Sequence, residues 1–239
     1  MGRLARIAAG RAGLGSDAWR PEAVLLDSFG TLVSMDPPGP RLAASLGVRP
    51  AAAEAAFRAE IAYYLDHHVE GRDAASLDDL RSRCAGVLLE ALGKEAASIG
   101  LAEARPAMLD AIRFQPYPDA APALAALRER GLRLVVASNW DCSLPAVLEQ
   151  AGLAPLVDGV VASAVVGADK PAAAVFEAAL EIAGCDASEA VHVGDSPSKD
   201  VAGAQAAGIA PILIQREGGP PAGPSVTTIA SLEELPGLL

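Results

Sequence analysis

The sequence predicts an α/β fold: a parallel sheet with helices on both faces, interrupted early by an all-helical insertion. Three observations carry that prediction. Short apolar runs at 23–26, 132–137, 159–162, 190–193 and 211–214 read as buried strands. From residue 119 onward such runs alternate with helical stretches, the order that builds a parallel sheet through right-handed crossovers. Residues 41–113, between the first run and the second, are helical in pattern throughout.

Residues 1–20 hold Arg3, Arg6, Arg11 and Arg20 among Ala and Gly, with Asp17 the only acid. Arg6 and Arg11 interrupt any signal-peptide core, so the segment reads as a disordered N-terminal extension, with a transit peptide or basic tail as the alternative. The first strand, Ala23–Leu26, stops at Asp27. Asp36-Pro37-Pro38-Gly39-Pro40 then breaks regular structure and suits a linker. The helix from Pro50 to Leu65 presents Ala53, Phe57, Ile61 and Tyr64 or Leu65 as one stripe. A further helix starts at Ser76 as N-cap with Asp79 three residues on, and its stripe runs through Leu77, Leu80, Cys84, Val87 and Leu88. Four helices are expected over 37–114, splitting the core into 21–36 and 115–239.

Gln115-Pro116-Tyr117-Pro118 marks the return to the core. A helix over 119–131 ends at Gly131, which suits a left-handed cap. Further helices are expected near 144–151, 172–183 and 200–207. Residues 216–225 form a Gly/Pro loop, 226–229 a last edge strand, and 232–235 a terminal helical turn.

Composition bounds the function. The chain has 239 residues, 51% hydrophobic and 21% charged, which suits a globular protein with an ample core. No apolar stretch approaches the ~18–20 residues that span a bilayer. A formal net charge of −11 argues against non-specific nucleic-acid binding and against adhesion to anionic membranes. An anionic substrate must then be drawn by a local field, from a metal or from Lys170. Cys84, Cys142 and Cys185 are odd in number and widely spaced, and read as free thiols in a reducing cytoplasm. His67 and His68 are adjacent and cannot share one helical face as zinc ligands.

Four separated pieces carry the chemistry: Asp27-Ser28-Phe29-Gly30-Thr31, Ser138-Asn139, Lys170-Pro171, and Gly194-Asp195 followed by Asp200. Three of them directly follow an apolar run, and open α/β sheets bind ligands beyond such strand ends. A carboxylate at Asp27, with Gly30 and Thr31 behind it, lies where backbone N–H groups surround an incoming phosphoryl group. As a nucleophile it divides one hard displacement into two easier ones through an acyl phosphate. Asp195 and Asp200 read either as N-caps or as partners of Asp27 around Mg²⁺, which takes a few carboxylates, waters and substrate oxygens. Lys170 is in reach of the nucleophile and a phosphate oxygen, while Ser138 and Asn139 supply hydroxyl and amide donors to the same oxygens.

In this order and spacing, the pieces resemble the haloacid dehalogenase-like hydrolase superfamily, from about Pro21 to the C-terminus. Lys170-Pro171 through Phe176 and Asp200 through Ala204 are similar to the surroundings of the family's third and fourth motifs. The resemblance implies a Rossmann-like core with a helical cap inserted after the first motif. It implies Asp27 as nucleophile, Ser138 as phosphate ligand, Lys170 as charge stabiliser, and Mg²⁺ on Asp27, Asp195 and the Phe29 backbone carbonyl. It further implies a phosphatase acting on a small phosphorylated metabolite through an aspartyl phosphate. Neither nucleic acid nor membrane is expected as a partner, and a monomer or weak homodimer is. One departure stands out: the family's phosphatases carry a second Asp where this chain has Phe29. General acid–base help is typically worth ~10²–10⁴-fold in rate, so turnover is expected to be slow or confined to good leaving groups. A non-acidic residue at this position also suits a 2-haloacid dehalogenase, but Gly194-Asp195 stands where that branch has Ser-Asn. A weakly catalytic member that binds a phospholigand or a protein is the third reading.

Overall fold

The computed structural model describes residues 20–219 and 226–239. The expected N-terminal extension therefore lies outside the described residues except for Arg20.

Six strands form one parallel sheet: β1 (Ala23–Leu26), β4 (Arg133–Ser138), β5 (Gly159–Ala162), β6 (Ala190–Gly194), β7 (Ala210–Ile214) and β8 (Thr227–Ile229). Their spatial order is β5-β4-β1-β6-β7-β8. After β1 the chain builds outward on one side through β4 and β5, then crosses to β6 on the other. The order thus reverses beside β1, the position at which open α/β sheets form a ligand crevice. Register places Leu26 beside both Val136 and Val193. The residues that follow all three therefore emerge at one edge.

Alternation along the strands makes two cores. Val24, Leu26, Leu134 and Val136 face α5 (Ala120–Glu129) and α6 (Leu144–Gln150) through Leu124, Leu127, Leu144 and Leu148. Ala23, Leu25, Val135 and Ala137 face α8 (Ala173–Ala183) through Val175, Phe176 and Ala179. The short helix α7 (Ser163–Val166) follows β5.

The insertion holds α1 (Gly39–Leu46), α2 (Pro50–His67), α3 (Ala74–Leu92) and α4 (Leu101–Ala111). These helices bury a third core that includes Leu42, Phe57, Leu80, Leu88 and Met108. The chain leaves and re-enters the α/β part through an antiparallel ribbon, β2 (Val33–Met35) with β3 (Phe114–Pro116). Three-residue strands are too short to show alternation, so this ribbon leaves no periodic sign in the sequence.

Two expected boundaries move. The cap of α3 is Asp73, whose carboxylate takes the Ser76 N–H at 2.9 Å, while Ser76 Oγ takes the Asp73 N–H at 3.0 Å. Ser76 is thus the third helical residue of a capping box begun by an acid, not the N-cap. The helix expected from Asp200 is a wide turn, Pro197–Val201, followed by α9 (Ala202–Ala206). A last helix, α10 (Leu235–Leu238), ends the chain. Among the described residues no helix is long and apolar enough to cross a membrane.

Candidate active site

Strand β1 delivers Asp27, β4 delivers Ser138 and Asn139, and β6 delivers Gly194 and Asp195, all at the edge where the sheet order reverses. The Asp27 N–H still bonds Val193 O at 2.9 Å, so its backbone is fixed by the sheet. Its side chain is buried, and Oδ1 accepts from Ser138 Oγ at 2.9 Å and Lys170 Nζ at 2.7 Å. Oδ2 carries no hydrogen bond among the described residues. Lys170 is only 3% exposed and also donates to Asp200 Oδ1 at 2.6 Å. A lysine this buried is tolerable only because two carboxylates flank it. Burial works against its charge, but Asp27 and Asp200 outweigh that and raise its pKa.

Asp200 is held from three sides. Its Oδ1 also meets His192 Nε2 at 2.9 Å, and its Oδ2 takes the Ser196 N–H at 2.9 Å. Burial alone would raise its pKa, yet His192 and Lys170 hold it well below the ordinary carboxylate range. An ionised Asp200 only accepts, so His192 donates through Nε2. Asp195 is the open member of the group. Burial, then the charges of Asp27 and Asp200, push its pKa up to about 6. Carboxylate oxygens of Asp27, Asp195 and Asp200 all lie within 4.8 Å of one another. Crowding of this kind favours either a proton or a cation.

Two glycines allow the crowding. Gly30 has φ +81°, and a Cβ there would stand 2.1 Å from Asp195 Oδ2. At Gly194 a Cβ would stand 2.2 Å from Asp200 Cγ. Any side chain at either position displaces a carboxylate of the cluster.

Other predicted contacts fall differently. The Asn139 side chain does not face the site: Nδ2 donates to Lys170 O at 3.0 Å and Oδ1 accepts the Lys170 N–H at 2.7 Å. It braces the Lys170 backbone, which occupies Oδ1 and one of the two Nδ2 hydrogens. Ser28 and Thr31 are fully buried, and their hydroxyls have no partner. The Gly30 N–H is used on Val33 O and the Thr31 N–H on Ser28 O, both within the turn. The Gly30 and Thr31 N–H groups therefore shape the loop and are spent within it, leaving only the buried Thr31 hydroxyl unused. The N–H groups of Ser28 and Phe29 have no backbone partner among the described residues. Phe29 is 46% exposed, its ring edge-on to Phe114 at 6.5 Å.

The sequence reading missed His192, although a histidine inside an otherwise apolar run was a usable sign. Asp141 is buried and closes a turn just before α6, taking the Ser143 N–H at 2.7 Å and the Tyr64 hydroxyl at 2.8 Å. His68 is also buried and bonds Asp169 Oδ1 at 3.0 Å, beside Lys170.

This geometry is that of a known hydrolase class. The family model for haloacid dehalogenase-like hydrolases matches residues 21–208, and the chain belongs to that family. Phosphoserine phosphatase of Thermus thermophilus is 40% identical over 105 residues, 44% of this chain and 42% of that protein. The chain matches less than half the length of this relative and of others such as ribulose-1,5-bisphosphate 5-phosphatase of Halopiger xanaduensis. A HAD phosphatase structure from Thermococcus onnurineus is 27% identical with a TM-score of 0.59, covering 91% of this chain and 97% of that one. A 2-haloacid dehalogenase structure from Pseudomonas syringae pv. Tomato DC3000 is 26% identical with a TM-score of 0.64 over the same shares.

Proposed function

We propose that this hydrolase is a phosphatase, acting on a small phosphorylated metabolite through an aspartyl phosphate on Asp27. The observation that carries the reading is the state of the Asp27 carboxylate. One oxygen is fixed by Ser138 and Lys170, the other has no partner, and Asp195 lies close by. A nucleophile needs this combination of fixed orientation and one free oxygen.

The donor set suits Mg²⁺: carboxylates and the Phe29 carbonyl are hard oxygen ligands, and the neighbouring His192 imidazole is already engaged as a donor to Asp200. Asp27 and Asp195 are the carboxylates with oxygen free to bind it. Asp200, whose oxygens serve Lys170, His192 and Ser196, adds charge behind them. When bound, Mg²⁺ supplies positive charge that offsets the crowded carboxylates and the anionic substrate.

In the first step Asp27 Oδ2 attacks phosphorus, the P–O ester bond breaks, and the leaving oxygen departs with its electron pair. The Lys170 ammonium and the N–H groups of Ser28 and Phe29 hold the transferring oxygens. In the second step water cleaves the acyl phosphate and restores Asp27. Phe29 has no proton to give, so the first step favours leaving groups that depart as stable anions. Residues 37–114 serve as a cap over this edge, and the free cysteines fit a cytoplasmic protein.

Mg²⁺-dependent release of phosphate from p-nitrophenyl phosphate tests the reading. Asp27→Asn is expected to lose about 10³-fold or more in kcat. Equal turnover by both proteins would remove Asp27 as nucleophile. The exposed Phe29 also fits a dehalogenase, and that reading predicts metal-independent chloride release from 2-chloropropionate instead.

A further inference from the structure

We propose that Arg216 is a positioning residue that holds the nucleophile loop in its working shape from behind. The inference rests on the phosphatase reading. It concerns a residue beyond 208, where the family match ends.

The guanidinium of Arg216 uses both edges and one face. Nη2 donates to Thr31 O at 2.6 Å and Nε to Gly30 O at 3.3 Å. Nη1 and Nη2 donate to the two oxygens of Asp119 at 2.9 and 3.0 Å. Its face lies over the Tyr117 ring, 3.6 Å from the centroid. Asp119 is itself anchored, accepting from Ser231 Oγ at 2.7 Å and the Leu232 N–H at 2.9 Å. The Tyr117 N–H bonds Leu32 O at 2.9 Å, closing the bracket on the same loop.

A bracket is needed at this point. Gly30 has φ +81° and no side chain, so the peptide units on either side are held within the loop only by their N–H bonds to Val33 O and Ser28 O, and the Gly30 and Thr31 carbonyls need an outside partner. Those units set the direction of the Phe29 carbonyl, a proposed Mg²⁺ ligand, and the gap that admits Asp195. Two carbonyls gripped by one planar cation, itself clamped by a carboxylate and an aromatic face, restrict that freedom. A lysine ammonium is compact and cannot meet both carbonyls and both carboxylate oxygens in one plane.

The test compares Arg216→Lys and Arg216→Gln with Ser231→Ala, which loosens the same anchor without touching the loop carbonyls. Turnover of p-nitrophenyl phosphate, Mg²⁺ affinity by calorimetry and thermal midpoint are measured for each full-length protein. Both Arg216 variants are expected to lose about 10- to 100-fold in kcat. KM should stay within about threefold while Mg²⁺ binding weakens by a similar or larger factor. Ser231→Ala should lower the thermal midpoint but leave kcat within about twofold. Wild-type kcat and Mg²⁺ affinity in Arg216→Lys would overturn the proposal, as would equal kcat losses in Arg216→Lys and Ser231→Ala at equal thermal midpoint. A wild-type protein that neither turns over the ester nor binds Mg²⁺ would instead sink the phosphatase reading, and this inference with it.

Discussion

Phe29 stands two residues after Asp27, the proposed nucleophile, half-open to solvent, with its ring against Phe114, which in turn leans on Trp140 at 4.9 Å. An aromatic wall there can contact an apolar leaving group but cannot protonate it. Phe29→Asp is therefore expected to raise kcat on an alkyl phosphate by roughly 10²-fold, with little gain on p-nitrophenyl phosphate. Equal gains on both esters would show that proton donation is not what the wild type lacks. At this scale the sequence was most informative where a residue acts through type and strand position. Asp27, Lys170, Asp195 and Asp200 meet as their placement implied. It was least informative where a side chain turns away. Asn139 and Lys170 are bound to each other across 31 positions, and no local pattern encodes that pairing.

Between elements, three hydrogen bonds tether the end of α2 and the following turn to the α/β core. Tyr64 donates to Asp141, His68 meets Asp169, and the Cys142 N–H bonds Gly71 O at 2.8 Å. Asp141 lies just beyond Ser138-Asn139 and Asp169 directly before Lys170, so the tether lands on both segments that hold Asp27. The Tyr64 hydroxyl leaves a buried carboxylate short of a donor when removed, at a cost of about 1–3 kcal/mol. Tyr64→Phe combined with His68→Ala should speed amide exchange at Cys142 and lower kcat. Unchanged protection at Cys142 would mean that the tether does not hold the helical unit. Helices and strands with long apolar stripes were legible; the β2–β3 ribbon and the Asp73 cap were not. A ribbon this short is fixed by partners outside itself, and Asp-x-x-Ser reads almost as well as Ser-x-x-Asp.

Across the whole molecule, stability is expected to depend on pH through Glu60 of α2. Glu60 is 3% exposed in the core of the helical unit, with Oε2 unpartnered. Burial pushes its pKa up from 4.5 to about 7, against a smaller lowering from its bond to Cys84. The folded state thus holds its proton more tightly than the unfolded chain. Stability from this group is fully present below the unfolded value and is lost as pH rises through about 7. The loss amounts to ~3 kcal/mol at 1.36 kcal/mol per pKa unit. Glu60→Gln is expected to raise the thermal midpoint at pH 8 and flatten its fall between pH 5 and 8 (assay conditions, roughly spanning the titration). Parallel curves for the two proteins would assign the slope to other groups, Asp195 first. The overall fold class was legible because strand and helix alternate over most of the chain; how the three cores are braced was not, since buried Glu60 looks like any surface acid in sequence. On the proposed reaction Asp27 takes the phosphoryl group while Asp195 and Asp200 crowd beside it. Acid quenching during turnover of p-nitrophenyl phosphate with Mg²⁺, followed by peptide mass spectrometry, tests it most directly. One phosphoryl group is expected on the peptide containing Asp27, absent in Asp27→Asn; sustained turnover with that peptide unmodified, or with the label on another residue, would remove Asp27 as the nucleophile.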